Sequence, residues 1–456
     1  MMSLSILADV LDAPLHGQDV VFTGVCHDTR QLAPGDLYVA IKGEHFDGDS
    51  FLADAIRAGA AGALLSREMD TLLPYVCVPD TKLALGSLGA FWRGQFKKIP
   101  VIAVTGSNGK TTVKEMIGAI LGETGSGCVT RGNLNNDIGV PLTLSRLRAE
   151  HHFAVIEMGM NHPGEIDYLS RMTRPTIAVI NNAAEAHLAG VGTLADVARA
   201  KGEIFSGLAD DGVAVLNVDD AHFMLWKKLA GSRQCLTFGL DHAAGVSAEY
   251  QLDGASSAIC LATAQGNIDL RLPLLGRHNV MNALAATAAA QAAGATLAQV
   301  KVGLEKMQAV SGRLNMKSGI SGARVIDDTY NANPASVAAA LQVLCEFTGE
   351  RVLVLGDMGE LGPTAADFHY RIGELARRLR IKRLFAVGEL ARMAVAAFGK
   401  QARHFETQEA LIEALQDCLH ADMTVLVKGS RSMRMERIVA GITKPSSVPI
   451  ENGRDH

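Results

Sequence analysis

The sequence predicts an α/β protein of three domains: a small N-terminal α/β module, a central P-loop-type domain with a mainly parallel sheet, and a C-terminal Rossmann-like domain. The 456 residues are too many for one ordinary domain. Strand-length and helix-length patterns alternate over residues 81–312 and again over 313–456, which is typical of parallel sheets covered on both faces. A strand, a glycine-rich loop and an amphipathic helix follow one another over 101–121. We therefore set domain boundaries at 1–80, 81–312 and 313–456.

Composition and charge exclude several classes of protein. Hydrophobic residues make up 48% of the chain and charged residues 20%, which favours large buried cores over disorder. Basic residues number 43 and acidic residues 48, without a basic run, so we expect no nucleic-acid partner. The N-terminus lacks a basic n-region and the Ala-rich stretch 283–295 is short, so we expect neither a signal peptide nor membrane insertion. Seven scattered cysteines without C-x-x-C spacing indicate reduced thiols in a cytoplasm and no zinc site.

The N-terminal module combines short apolar strands at 20–25 and 37–41 with a helix near 50–58. A charged loop containing Thr29 and Arg30 follows the first strand. Such a loop is either an exposed ion pair or a place where an arginine and a hydroxyl hold a charged ligand. The residues by themselves favour the exposed ion pair.

The central domain begins with the phosphate-loop pattern T-G-S-N-G-K-T-T at 105–112. Its glycines allow the tight turn that aims backbone N–H groups and a helix N-terminus at an anion. The lysine would reach the outer phosphates, and a threonine hydroxyl would bind the accompanying Mg²⁺. The usual pattern has four residues between the first glycine and the Gly-Lys pair, and this loop has two. A glycine turn with an exposed lysine is the alternative, but the flanking strand and helix favour nucleotide binding. The candidate nucleotide-binding residues of this loop are Gly106, Ser107, Asn108, Gly109, Lys110, Thr111 and Thr112.

Further candidates follow the other predicted strands of the central domain, at 153–157, 177–181 and 213–217. Ligands of such sheets bind beyond the carboxyl ends of the strands. Glu157 ends one strand and His187 follows another, so both could stand near the phosphate loop. A buried structural glutamate and a surface histidine are the alternatives. Asn279 and Asn282 share one face of the Ala-rich helix, where they could read an adenine edge or cap the helix.

The C-terminal domain repeats the alternation, with strands at 324–327, 351–355, 383–387 and 423–427 and helices at 335–347, 366–380, 389–398 and 407–419. Its polar loops follow strand ends. Lys428 and Arg431 flank the start of a predicted last helix, which makes either a carboxylate site or a solvated basic loop.

Taken together, the motifs resemble the Mur ligase family over nearly the whole chain, and the short G-x-x-G-K-T-T loop is that family's own variant. The motifs that carry the resemblance, in order, are DTR, GDLYVAIKGEHFDGDSF, TGSNGKTT, GNLNNDIGVPLTL, EMGMNHPGEI, AHLAGVGT, AKGEIF, GRHNVMNALAA, GRL, DDTYNANP, VLGDMGELG and KGSRSMRME.

The resemblance implies an ATP-dependent ligase that forms an amide bond through an acyl phosphate in peptidoglycan precursor synthesis. It implies UDP-N-acetylmuramoyl-tripeptide and D-alanyl-D-alanine as the substrates, ATP, two Mg²⁺ ions and a lysine carbamylated by CO₂. The N-terminal module would bind UDP, the central domain would act as the ATPase, and we expect a monomer.

The resemblance also implies roles for individual residues. Lys110 and Arg313 would contact the β- and γ-phosphates, Thr111, Glu157 and His187 would hold Mg²⁺, and Lys201 would carry the carbamate. The remaining implied contacts are Asn279 and Asn282 at adenine, Asp328 and Tyr330 at the ribose, Thr29 and Arg30 at uridine, Asn135 and Asn136 near the sugar and pyrophosphate, and Lys428, Ser430 and Arg431 at the dipeptide.

Three alternatives stay open at this point. A ligase that adds the third residue should carry an Asp-Asn-Pro-Arg loop, which this sequence lacks, and folylpolyglutamate synthase lacks the N-terminal module. A nucleotide-driven switch or scaffold would need Lys110 but not Glu157, His187 and Lys201 together. Phosphate release that requires both substrates would separate these classes.

Overall fold

The computed structural model of the chain describes residues 1–43, 46–186, 188–253 and 256–444. Within these ranges the protein is α/β and contains three large units, as predicted: an N-terminal unit, a central unit and a C-terminal unit, each built on its own sheet.

The N-terminal unit has a five-stranded sheet of order β2-β7-β6-β5-β4, parallel except for β2, and a separate β1-β3 pair. The strand expected at 20–25 is divided in two, because its first half pairs with β1 and its second half with β5. The elements are β1 (Met2–Ser3), α1 (Leu4–Leu11), β2 (Leu15–His16), β3 (Val21–Phe22), β4 (Gly24–Cys26), β5 (Asp36–Val39), α2 (Leu52–Ala58), β6 (Gly62–Leu65), β7 (Tyr75–Cys77) and α3 (Thr81–Arg93).

The central unit has a fully parallel six-stranded sheet of order β13-β12-β11-β8-β10-β9. The four strands predicted here are all present, and helices cover both faces of the sheet. The elements are β8 (Val101–Thr105), α4 (Lys110–Gly122), β9 (Gly127–Val129), α5 (Gly139–Ser145), β10 (Phe153–Glu157), α6 (Glu165–Thr173), β11 (Ile177–Ile180), α7 (Leu188–Val191), α8 (Leu194–Gly202), β12 (Val213–Asn217), α9 (Phe223–Ala230), β13 (Gln234–Phe238), β14 (Ser247–Asp253), β15 (Ser256–Thr263), β16 (Gly266–Leu272), α10 (Arg277–Ala292) and α11 (Leu297–Glu305).

An antiparallel sheet of three strands, β14-β15-β16, follows the parallel sheet and was not predicted from the sequence. One face of β15 is buried through Ile259 and Leu261, whereas Ala258 and Cys260 on the other face are exposed. The outward residues of β15 are small and apolar, so its alternating pattern is weak in the sequence.

The Ala-rich helix α10 is buried, as predicted, and packs against α4 in the core on one face of the central sheet. Because the alanine side chains of α10 are short, they let a neighbouring helix pack closely against it. The residues at the N-termini of α4 and α10 therefore lie near one another.

The C-terminal unit has a six-stranded sheet of order β17-β18-β22-β19-β20-β21, parallel except for the edge strand β17. The four predicted strands and the four predicted helices are present. The last helix begins at Glu436, so Arg431 lies in a short 3₁₀ turn and does not flank it as expected. The elements are β17 (Asn315–Ser318), β18 (Arg324–Asp328), α12 (Pro334–Cys345), β19 (Glu350–Leu355), α13 (Ala365–Arg378), β20 (Arg383–Val387), α14 (Ala391–Phe398), β21 (Ala402–Phe405), α15 (Gln408–Gln416), β22 (Met423–Lys428) and α16 (Glu436–Ile442).

Helix α3 joins the first two units, because its apolar residues contribute to the N-terminal core and also pack against the central core. No helix in the described ranges is both long and apolar enough to cross a membrane.

Candidate active site

A cleft of about 1150 Å³ lies at the carboxyl ends of the central and C-terminal sheets, where the two units meet. Ligands of open α/β sheets bind at this edge. The predicted site residues that line the cleft are Ser107, Asn108, Gly109, Lys110, Thr111, Thr112, Asn135, Asn136, Glu157, Asn279, Asn282, Arg313, Asp328, Tyr330, Lys428, Ser430 and Arg431.

The phosphate loop connects β8, at the centre of the sheet, to α4. Gly109 has φ +78°, and a Cβ there would lie 2.4 Å from Oδ1 of Asn282, so this position requires glycine. No side chain in the described ranges caps α4, which leaves its N-terminal N–H groups free to face an anion. Lys110 Nζ donates to the carbonyl of Gly106 at 2.7 Å. The lysine is thus held over the loop at the helix N-terminus.

A second cation reaches the phosphate loop from the segment before β17. The Arg313 Nη2 donates to Oγ1 of Thr111 at 3.1 Å, and its guanidinium lies 4.2 Å from the ring centroid of Tyr330. Burial lowers the pKa of Lys110, and Arg313 adds to this effect while Glu157 opposes it. Two cations that converge on one glycine-rich loop indicate a site for a polyanion.

Glu157 ends β10, beside β8, and only 2% of its surface is exposed. Its backbone N–H donates to Oγ1 of Thr130 at 3.0 Å, and its Oε1 accepts a hydrogen bond from Asn135 at 2.7 Å. Its Oε2 is buried and has no partner among the described residues. A buried, unpaired carboxylate oxygen is costly unless a cation completes it, so this residue fits a metal ligand.

Lys201 lies on α8, is completely buried, and its Nζ has no hydrogen-bond partner within the described ranges. Burial, followed by the nearby charge of Lys110, lowers the pKa of Lys201 well below its ordinary value. Burial therefore favours the uncharged form of this amine. Lys201 does not line the cleft.

The paired asparagines of α10 do not cap the helix, because both lie inside it and bond to one another. Asn282 Nδ2 donates to Oδ1 of Asn279 at 3.1 Å, and Asn279 Nδ2 donates to the carbonyl of Leu275 at 2.8 Å. Asn181 Nδ2 donates to Oδ1 of Asn282 at 2.8 Å and to the carbonyl of Asn108 at 2.9 Å. These amides connect the start of α10 to the phosphate loop.

Asp328 and Lys428 end two adjacent strands of the C-terminal sheet and form a buried ion pair at 2.5 Å. Lys428 also donates to the carbonyl of Asn331 at 3.0 Å. Burial lowers the pKa of the adjacent His278 to about 4, because the desolvation of the ring outweighs the attraction of Asp328. Lys428 is thus buried and paired with Asp328. Of the two basic residues predicted in this loop, Lys428 and Arg431, Arg431 is the more exposed.

Gly106, Thr29 and Arg30 are predicted site residues that do not line the cleft. Arg30 donates to Asp28 at 2.8 and 2.7 Å, its side chain is 87% exposed, and these contacts lower the pKa of Asp28 to about 2. Neither Thr29 nor Arg30 lines the cleft, and the geometry of the loop is the exposed ion pair considered above. His187 lies outside the described residues.

Three asparagines of the site were not predicted: Asn181, Asn182 and Asn333. The first two follow β11 directly, and the third caps α12. All three bond to Asn108 of the phosphate loop. The signal available was an Asn-Asn pair at the carboxyl end of a buried strand, which is where polar site residues concentrate.

Comparison with known proteins identifies the family. The Mur ligase family catalytic-domain model matches residues 21–82, the Mur ligase middle-domain model matches 104–290, and the model described as "Mur ligase, glutamate ligase domain" matches 312–431. A curated protein of Escherichia coli K12, UDP-N-acetylmuramoyl-tripeptide--D-alanyl-D-alanine ligase, is 46% identical over 97% of this chain and 98% of its own length. The chain belongs to the Mur ligase family. It is therefore an ATP-dependent ligase that forms amide bonds.

Other Mur ligases of the same name agree with this assignment. The Bacillus subtilis 168 protein is 38% identical, over 92% of this chain and 93% of that protein. A crystal structure of MurF from Acinetobacter baumannii superposes with a TM-score of 0.90 at 39% identity, covering 96% of this chain and 98% of that one. The MurF ligase of Thermotoga maritima in complex with ADP superposes with a TM-score of 0.82 at 26% identity, covering 92% and 97%.

Proposed function

We propose that this Mur ligase joins D-alanyl-D-alanine to UDP-N-acetylmuramoyl-tripeptide with ATP, which gives the pentapeptide precursor of peptidoglycan. The observation that carries the proposal is the convergence of Lys110, Thr111 and Glu157 of the central unit with Arg313 in one cleft. Relatives named for this reaction, at 35–46% identity over more than nine-tenths of this chain, support the choice of substrates.

The reaction begins when the tripeptide carboxylate attacks the γ-phosphorus of ATP, so that an acyl phosphate forms and ADP leaves. This step brings negative charges together, and the protein must offset them and hold the groups in line. Lys110 and the free N-terminus of α4 would bear on the β- and γ-phosphates. Arg313 would leave Thr111 for the γ-phosphate while remaining stacked on Tyr330.

Glu157 and Thr111 would hold Mg²⁺, because the unpaired Oε2 of Glu157 and the Thr111 hydroxyl are the oxygen ligands that this ion prefers. When bound, Mg²⁺ supplies positive charge beside the phosphate oxygens. Asn135 orients the carboxylate of Glu157 through its hydrogen bond. A second Mg²⁺, which Glu157 and His187 would hold near the tripeptide carboxylate, remains a prediction, since His187 lies outside the described residues.

Lys201 would react with CO₂ to form the carbamate. CO₂ adds to an uncharged amine, and burial favours that form of Lys201. The amine nitrogen would form a bond to the carbon of CO₂ and lose one proton to solvent, so the product is an anion, which the nearby cation Lys110 would favour. An unpartnered buried Nζ supports this role, since an ordinary structural lysine would be paired or exposed.

The nucleoside would lie between the central and C-terminal units. Asn279 and Asn282 face the cleft from the start of α10 and would read the adenine edge. Asp328 would accept from the ribose hydroxyls, held in place by Lys428 and by the N–H of Leu314. Tyr330 would pack nearby. The proposed assignment of residues 81–312 to the ATPase domain and of 313–456 to the C-terminal domain rests on this arrangement, in which the central unit contacts adenine and the C-terminal unit contacts the ribose.

The nucleotide sugar would span the N-terminal and central units, residues 1–80 and 81–312. Asn135 and Asn136 line the cleft near the phosphate loop, where the sugar and pyrophosphate would lie. Thr29 and Arg30 would bind uridine on the surface of the N-terminal unit. On this proposal Arg30 leaves Asp28 or binds the ligand together with it.

In the second step the dipeptide amine attacks the acyl carbon and inorganic phosphate leaves. Ser430 and Arg431 line the cleft and would bind the dipeptide carboxylate, and Lys428 would contribute mainly through Asp328. Contacts between the units would exclude water, which would otherwise hydrolyse the acyl phosphate. The seven cysteines are all free thiols, which supports a reducing, cytoplasmic compartment.

The test is phosphate release from ATP measured with no acceptor, with each substrate alone, and with both. We expect rapid release only when UDP-N-acetylmuramoyl-tripeptide and D-alanyl-D-alanine are present together, with pentapeptide product appearing in equal amount. Equal release in all four mixtures would refute ligation and favour a nucleotide-driven switch. Ligation of a diamino acid to the UDP-dipeptide would favour the ligase that adds the third residue.

A further inference from the structure

One hydrogen bond joins the C-terminal unit to the phosphate loop without using any group that the proposed mechanism assigns to a substrate. Asn333 Nδ2 donates to Oδ1 of Asn108 at 2.8 Å. A second side-chain hydrogen bond of this kind, from Arg313 to Thr111, uses a cation and a hydroxyl that ATP and Mg²⁺ would bind. The contact between the two asparagines can therefore persist when the nucleotide is bound.

The orientation of the Asn333 amide is fixed by the helix it begins. Asn333 is the N-cap of α12, and its Oδ1 accepts from the N–H of Ser336 at 2.9 Å. The backbone N–H can only donate, so the amide oxygen must face the helix and the NH₂ group must face away from it. The donor is thereby aimed at the phosphate loop by the fold of the C-terminal unit itself.

Asn108 is held from the other side by the central unit. Its backbone N–H donates to Oδ1 of Asn182 at 2.9 Å. Its carbonyl accepts from Asn181 and Asn182 at 2.9 and 3.1 Å. The middle of the phosphate loop is thus fixed by two strand-end amides, and only its side chain is left to contact another unit.

We propose that Asn333 is a positioning residue that locks the C-terminal unit onto the phosphate loop through Asn108, and so completes the ATP site. Because Arg313, Asp328 and Tyr330 reach the nucleotide only when the two units are together, the bond raises the populated fraction of the complete site. Apparent nucleotide affinity scales with that fraction. The inference rests on the proposed ATP site.

The test uses two variants that separate the interunit bond from the helix cap. Asn333→Ser keeps a cap acceptor for α12, but its hydroxyl is too short to reach Asn108, whereas Asn333→Ala loses both contacts. We expect both variants to bind the Mg²⁺ complex of a non-hydrolysable ATP analogue about three- to tenfold more weakly, the factor that one lost hydrogen bond supplies. The melting temperature should fall clearly only in Asn333→Ala.

A double-mutant cycle with Asn108→Ala completes the test, since the bond is already absent in that background. There Asn333→Ser should change analogue affinity less than twofold. The inference is overturned if Asn333→Ser binds the analogue as tightly as the wild type does, whatever the effect of Asn333→Ala. It is also overturned if Asn333→Ser weakens analogue binding as much in the Asn108→Ala background as in the wild type. Analogue binding does not depend on ligation, so a wild-type protein that binds the analogue but makes no pentapeptide would refute only the proposed function.

Discussion

Replacing Lys201 by methionine should stabilise the protein while abolishing its activity. Lys201 is completely buried, and its Nζ has no partner in the part of the chain that the structure describes. Folding therefore forces this amine to lose its proton or to remain charged without compensation, and either route costs free energy at neutral pH. Methionine has nearly the same length and shape and carries no such penalty.

The sign and size of the effect follow from the lowered pKa of Lys201. The unfolded state binds the proton up to the ordinary lysine pKa and the folded state does not, so stability rises with pH between the two values. Replacing a buried ion pair by apolar residues of similar volume gains up to about 1–4 kcal/mol, and we expect a gain of this order for the unpaired, buried Lys201. In a domain of this size each kcal/mol raises the melting temperature by about 2–4 °C.

The assay is thermal unfolding near pH 7 in CO₂-depleted buffer with a chelator, so that the wild-type side chain is a free amine. Lys201→Met should melt higher than the wild type, and the difference should shrink as the pH is raised toward 10. Ligation should be lost, and an isotopic carbamate signal from ¹³CO₂ should be present only in the wild type. Lower stability of the variant at every pH would refute the reasoning, because it would mean that the amine is paired. In Lys201→Ala, small carboxylates should restore part of the activity, and failure to do so would count against the carbamate.

Three further predictions concern residues that hold the site in place. Asn135→Ala should raise the Mg²⁺ concentration needed for half-maximal ligation about 10–100-fold, because the Glu157 carboxylate loses the hydrogen bond that orients it. An unchanged Mg²⁺ dependence would show that Asn135 does not orient Glu157. Lys114→Met should lower unfolding free energy by about 1–3 kcal/mol, because the buried Lys114 Nζ donates to the Thr130 carbonyl at 2.7 Å; wild-type denaturant sensitivity would show that this bond contributes little. Arg30→Ala should leave the melting temperature nearly unchanged, because its ion pair is exposed, yet raise the KM for the nucleotide sugar; a normal KM would exclude Arg30 from the uridine site.

The sequence predicted the parallel sheets well because their buried strands are continuous apolar runs with clear helical patterns between them. It did not predict β14–β16. In β15 the outward residues Ala258 and Cys260 are apolar, which hides the alternation there, whereas β16 does alternate apolar and polar residues and was missed despite this signal. The division of the strand at 20–25 was also missed, since it depends on which partner each half finds.

Within the candidate site, many of the predicted loop residues line one cleft, whereas Thr29, Arg30 and Lys201 do not, and the sequence could not assign the partners of these side chains. Lys428 is 100 residues from Asp328, and the ion pair arises only because β18 and β22 are neighbours in the sheet. The same holds for Asn333 and Asn108, which belong to different units. Local patterns report which side chains reach a sheet edge, whereas pairings across that edge depend on the order of the strands.

The close packing of α10 on α4 fixes the length of the proposed nucleotide site. The N-terminus of α10 carries the proposed adenine contacts, and the N-terminus of α4 carries the phosphate contacts. The distance between the two helices therefore sets the distance between these two groups of contacts. A bulkier residue among the buried alanines of α10 would push the helices apart, so that adenine and the triphosphate could no longer both be bound well, although no residue that contacts ATP had changed.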